Sequence, residues 1–264
     1  MTPRGWFSNP NGWHWPTGLF LLSLLVHAGS LLGQGFDGLY GQDPFAYYGY
    51  AVGPLRTALL SFQPWPPFFW PPGYPLLITL GSLLLDATPL IGQWISLLAG
   101  SLVTVLTYAL AREVVLDLEG NGADSLPLTL KVEDSRSEAP GKGRVGGVRF
   151  AWVPLLAGLV TIFHPQLWQS SIVVMSDTVS LAAGTLGAWA LARYTRLDRA
   201  RWLALSAAAL AYAIGTRWAY ALVALPCAAL GVYLLVSRAR GRTAALARGA
   251  AGAALSGGVC WRGC

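Results

Sequence analysis

Apolar runs close to the length of a bilayer crossing recur through this chain, and they constrain its fold more than any other feature. They cover residues 17–35, 89–111, 150–168, 177–194, 202–216 and 218–236. A helix rises about 1.5 Å per residue, so roughly 20 apolar residues match the hydrocarbon core of a membrane. Composition agrees: 54% of the 264 residues are hydrophobic and only 11% charged, where a soluble domain carries about a quarter charged residues. These figures exclude an intrinsically disordered chain and a nucleic-acid binder driven by bulk charge. A disulfide-stapled module is excluded too, because Cys227, Cys260 and Cys264 form no framework. The pattern predicts an all-α, polytopic integral membrane protein with membrane lipids as its surroundings.

The segments between the runs differ in kind. Residues 1–16 read as a cytoplasmic N-terminus. With only Arg4 as a fixed positive charge and no small-x-small cleavage site, the first run reads as a retained helix rather than a signal peptide. Residues 36–88 form a long loop containing Gln63 to Pro75, whose prolines forbid a helix interior and whose backbone would go unsatisfied in lipid. The apolar stretch 75–85 inside it is short for a span and reads as re-entrant or interfacial. Residues 112–149 are polar and glycine-rich and read as a flexible linker, while 241–264 read as the start of a truncated further span.

Arginine placement sets the expected orientation. If 75–85 does not cross, Arg112, Arg149, Arg193, Arg196, Arg199, Arg201, Arg238, Arg240 and Arg242 share one side. The other side keeps only Arg56 and Arg217. The positive-inside rule then puts the basic ends in the cytoplasm and residues 36–88 outside. Asp37, Asp43, Arg56, the proline-rich bend, His164, Asp177 and Arg217 all come to the external face. Ionisable groups near lipid are costly, so their convergence marks a candidate site.

Each of these residues has a structural and a functional reading. Asp43 followed by Pro44 is a helix-start signal, so Asp43 either caps that helix or serves as a general base. Tyr47 and Tyr50 fall on the same helical face. Asp37, between glycine turns, is the alternative base or a local turn residue. Arg217 either snorkels from a span end or grips a phosphate, and Arg56 is the other external cation. Asp177 opens a span as a cap or a site residue, and His164 stands before Pro165 at a span end. No Cys/His cluster has zinc spacing, and Gly141 to Gly147 lacks the spacing of a phosphate loop.

Four stretches taken in order resemble the GT-C membrane glycosyltransferases, in particular dolichyl-phosphate-mannose protein mannosyltransferases and bacterial aminoarabinose- or mannosyl-transferring relatives. Gly41 to Ala51 (GQDPFAYYGYA) looks like the acidic motif opening the first external loop. Trp70 to Leu77 (WPPGYPLL) looks like the segment closing it, with Trp70 where a basic residue or His is usual. Met175 to Leu181 (MSDTVSL) looks like a Ser-Glu span start, with Asp177 in place of Glu. Gly215 to Ala219 (GTRWA) looks like a Thr-Arg-Pro stretch.

The resemblance implies a GT-C-type helical module over 17–240 and an inverting sugar transfer on the periplasmic face of a bacterial inner membrane. The donor would be a polyprenyl-phosphate sugar and the acceptor a lipid, glycan or protein, with no cofactor, no metal and no nucleic acid. It assigns the base to Asp43, or Asp37, and the donor lipid phosphate to Arg217 and Arg56. Tyr47, Trp70, Tyr74, His164 and Asp177 would line the pocket. A transporter or lipid flippase, and a non-catalytic fragment or assembly subunit, are the rival readings. A transporter would require polar groups at mid-membrane depth.

Overall fold

The protein is represented by a computed structural model that describes residues 14–120 and 152–259. The expected N-terminal segment up to residue 13, most of the linker and the last cysteines lie outside the described residues. Every regular element described is helical.

Helix α1 (His14–Gln34) leads into a turn-rich stretch with Gly35, Gly38 and Gly41 at positive φ. Helix α2 (Gln42–Tyr50) follows, and a π-helical turn over Ala51–Leu55 joins it to α3 (Arg56–Leu60). Pro54 explains that turn: without an N–H it cannot bond to the preceding turn, and the helix widens locally. The proline-rich segment is irregular, as its composition requires, until α4 (Gly73–Leu84). Tyr50 holds this segment against α2 by donating to the Pro66 carbonyl at 2.7 Å and stacking on Phe68.

The long α5 (Pro89–Gly120) runs through the centre. After it come α6 (Val153–Ile162), α7 (Pro165–Ile172), α8 (Asp177–Leu197) and α9 (Ala200–Thr216). A single 3₁₀ turn, Trp218–Tyr220, precedes α10 (Ala221–Val259).

Among the described residues three helices are long and apolar enough to cross a membrane: His14–Gln34, Pro89–Asp117 and Trp218–Arg240. The other expected spans depart from that description for identifiable reasons. Residues 150–168, read as one span, are divided between α6 and α7, because His164 precedes a proline and adopts extended dihedrals. Helix α8 has the length of a span but a first turn holding Asp177 and a last turn holding Arg196. It lies between α5 and α9, and its inward face is mostly Ser, Thr, Ala and Gly, with Val179, Leu191 and Tyr194 among them. Gly184 leaves room for the Tyr220 ring and Gly187 for Leu210, a close packing that small residues permit. Helix α9 has 17 residues. Residues 112–120, expected in the linker, continue α5, and 241–259, expected to begin a new span, continue α10.

At the C-terminal end of α8 a charged cluster ties helices together. Glu113 of α5 is buried and accepts from Arg196 at 2.7 Å, with Arg193 at 3.6 Å. The Arg193 guanidinium also lies 4.6 Å from the Trp202 ring centroid. Arg238 of α10 donates to the Thr195 carbonyl and to Asp198, closing the end of α8. Above that anchor α10 is bare: only 6% of its most apolar window is buried, and Leu222, Leu225, Val232 and Tyr233 are exposed. A surface of that kind is compatible with a lipid environment.

Candidate functional site

Two cavities open side by side where α2, α7, the start of α8 and the end of α9 meet. The first, about 310 Å³, is lined by Tyr40, Asp43, Gln166, Gln169, Ser170 and Met175 among others. The second, about 280 Å³, is lined by His164, Gln166, Ser170, Asp177, Thr178 and Arg217 among others. Gln166 and Ser170 belong to both, so one turn of α7 is the wall between an acidic chamber and a chamber holding the ion pair of Asp177 with Arg217.

The position of α7 follows from local chemistry. Pro165 starts the helix, and α6 has already stopped at Ile162. Ile162 lies in the last turn of α6, where a carbonyl has no partner within the helix. His27 Nε2, fully buried in α1, approaches that oxygen at 3.3 Å. Trp168 Nε1 donates to Ser30 at 2.9 Å and fastens α7 to α1. At the far end Gln93 Nε2 donates to both the Ile172 and Phe36 carbonyls at 2.9 Å. One buried side chain of α5 thus holds the end of α7 and the turn leading to Asp43. Gly38 belongs to the same joint: its φ is +81° and a Cβ there would meet Gln93 Cγ at 2.4 Å.

Asp43 is the second residue of α2, since Gly41 takes the cap position. It forms no ion pair with another described residue. Tyr47, one turn on, is buried and lines neither cavity. Its ring meets Tyr74 edge-on at 5.7 Å and lies 6.3 Å from Trp70, and its hydroxyl accepts from Ser176 at 3.2 Å. Burial pushes the Tyr47 phenol above its ordinary value; the Ser176 bond and the Arg217 charge oppose that shift, and the Asp43 carboxylate adds to it. Tyr74 is completely buried, donates to the Gly92 carbonyl and shares a hydrogen bond with Ser96. Tyr47 and Tyr74 therefore form the floor behind the site, with half-buried Trp70 packed against them, and none of the three lines a chamber.

Two other expected residues lie outside both chambers. Asp37 accepts from the Leu39 N–H at 3.0 Å, a local turn bond. Arg56 sits on α3 with its Nε buried and unpartnered among the described residues. Arg217 is in place at the end of α9 and is engaged by Asp177 rather than free.

The four stretches singled out in the sequence touch one another. Tyr47 joins 41–51 to 175–181 through Ser176 and to 70–77 through Trp70 and Tyr74. Gly73 presses on the end of α9, where a Cβ would meet the Gly215 carbonyl oxygen at 2.6 Å. Tyr212 of α9 donates to the Gly73 carbonyl at 3.2 Å. Asp177 with Arg217 closes the ring.

The site residues not foreseen are Gln166, Gln169, Ser170 and Thr178. The first three share a face of a short helix announced by His-Pro, and that spacing was the available signal. Among the described residues no group of three or more His, Cys, Asp or Glu gathers as metal ligands would. Comparison of the chain with protein-family models, with curated proteins and with solved structures finds no match.

Proposed function

We propose that this chain is a membrane glycosyltransferase of GT-C type, working on the periplasmic face of a bacterial inner membrane. In this reading a polyprenyl-phosphate sugar binds with its phosphate toward Arg217 and its anomeric carbon toward the α7 wall. Asp43 takes a proton from the acceptor hydroxyl in the neighbouring chamber. The acceptor oxygen attacks the anomeric carbon from the face opposite the phosphate, the C–O bond to phosphate breaks, and configuration inverts. Phosphate leaves readily, so the catalytic demand is positioning and charge stabilisation. The observation that carries the reading is the shared wall: a carboxylate without an ion pair among the described residues and an arginine ion pair flank the same two side chains, Gln166 and Ser170.

The test is transfer from a polyprenyl-phosphate sugar in nanodiscs. Asp43→Asn should abolish turnover while insertion and melting temperature hold, and undiminished turnover would refute the assignment.

A transporter or flippase remains the second reading because of one observation. Ser23, His27 and Thr104 are fully or almost fully buried in the interiors of α1 and α5, where such a path needs polar groups. Each has a structural partner, however: His27 meets Ile162, and Thr104 donates to Ser23 at 3.3 Å. Substrate-independent lipid scrambling in proteoliposomes would favour the second reading.

A further inference from the structure

We propose that the N-terminal end of α8 is a phosphate site, built from the Thr178 hydroxyl, the first backbone N–H groups of the helix and the Arg217 guanidinium. Asp177 occupies that guanidinium until the phosphate displaces it. Only the identity of the ligand, a polyprenyl phosphate, rests on the transferase reading.

Thr178 is 0% exposed, lines the smaller chamber, and its hydroxyl has no partner among the described residues. Buried hydroxyls are almost always hydrogen-bonded, so an orphan on a residue that lines a cavity points to a ligand that completes it. The backbone around it has the same need. Helix α8 is 21 residues long, and its first-turn N–H groups carry the positive end of the helix dipole. The capping residue Ser176 donates its hydroxyl to Tyr47 and makes no side-chain cap to the helix. An anion can take these donors.

Arg217 supplies the charge and a planar fork suited to phosphate oxygens. Asp177 works against the anion. Among the described residues it is the only acidic side chain lining this chamber, and it stands at the first position of the helix, paired with Arg217. A phosphate entering here exchanges places with a carboxylate on the same guanidinium, and its affinity is reduced by the cost of that displacement. Thr178 and Asp177, adjacent in sequence, therefore have opposite effects: one strengthens phosphate binding and the other weakens it.

The experiment measures binding of a short-chain polyprenyl phosphate to the full chain in phosphatidylcholine nanodiscs. Uncharged polyprenol and inorganic phosphate are the comparison arms. Thr178→Val should weaken the phosphate lipid about tenfold, the size of one hydrogen bond to a charged group, and Thr178→Ser should bind as the parent does. Asp177→Asn should bind more tightly than the parent, and Arg217→Ala should lose binding. Preference for the phosphate lipid over polyprenol and inorganic phosphate assigns the site to the carrier. Equal binding of inorganic phosphate keeps the site and assigns it to the free ion.

Unchanged affinity in Thr178→Val at the parental melting temperature overturns the proposal, as does weaker binding in Asp177→Asn. If Thr178→Val does not fold, the sign of the Asp177→Asn effect decides alone. Binding as expected in a chain that transfers no sugar would leave this site standing and remove the transferase reading. Sugar transfer without the Thr178 and Asp177 effects would do the reverse.

Discussion

Replacing Gln93 with methionine tests whether one buried amide holds both walls of the Asp43 chamber. Methionine keeps the length and most of the volume of glutamine, so the packing term should stay within about 1.5 kcal/mol. The polar term is larger. Gln93 donates two 2.9 Å bonds, to Ile172 O in a buried setting and to Phe36 O in a partly buried one. A buried carbonyl left without its donor costs about 1–3 kcal/mol, and a partly wetted one costs less. The two together predict a loss of about 2–4 kcal/mol. Equilibrium unfolding in mixed detergent–SDS micelles reads the loss directly. Gln34→Ala is the control, since Gln34 makes an exposed bond to Ser30 at 3.1 Å and should change stability by less than about 0.5 kcal/mol. Limited proteolysis should show the 36–41 turn opening first. A Gln93→Met chain within about 0.5 kcal/mol of the parent would mean that Phe36 and Ile172 find other donors, and the joint would lose its role.

Three further perturbations probe the rest of the frame. Gly73→Ala puts a Cβ 2.6 Å from the Gly215 carbonyl oxygen, so α4 and the end of α9 must separate. A loss of about 1–3 kcal/mol in the same unfolding assay is expected. Arg238→Ala removes the donor to the exposed Thr195 carbonyl and Asp198 at the end of α8, and should cost about 0.5–1 kcal/mol. For Tyr47 the folded state raises the phenol pKa, so its contribution is intact below the unfolded value of about 10 and declines as pH rises past it. Alkaline unfolding curves should therefore fall less steeply in Tyr47→Phe, and identical slopes would contradict the assigned burial of that hydroxyl.

Local sequence chemistry foresaw some of this arrangement and missed other parts for physical reasons. Prolines at 66, 67, 71 and 72 forbid a helix interior, and the chain is irregular there until Gly73, whereas Pro54 and Pro226 stand within helix. Thr216 ends α9 and leaves Arg217 outside it, as the boundary between apolar runs implies. The apolar run 177–194 coincides with α8, where small and hydroxyl residues fill much of the face packed between α5 and α9. At 241–259 small and basic residues continue α10, a continuity that hydropathy does not reveal. Gln93 and His27 were illegible for a different reason. Each looks like an isolated polar residue in an apolar run, and its meaning lies in a carbonyl far away in sequence, Ile172 for one and Ile162 for the other.

Those two carbonyls belong to the segments that bound α7, and this is why the helix matters beyond its length. A chain broken at His164–Pro165 leaves the last carbonyls of α6 and α7 to find partners outside their own helices. His27 meets that need on the α6 side and Gln93 at the end of α7, while Trp168 fixes the helix sideways to Ser30. A continuous helix through this region would place Gln166 and Ser170 elsewhere and leave no wall between Asp43 and Arg217. Of the buried polar groups that look like evidence for a path through the helices, His27 is thus accounted for as a support of the break, and Thr104 and Ser23 by their bond to each other. The break is what gives the two chambers a common side.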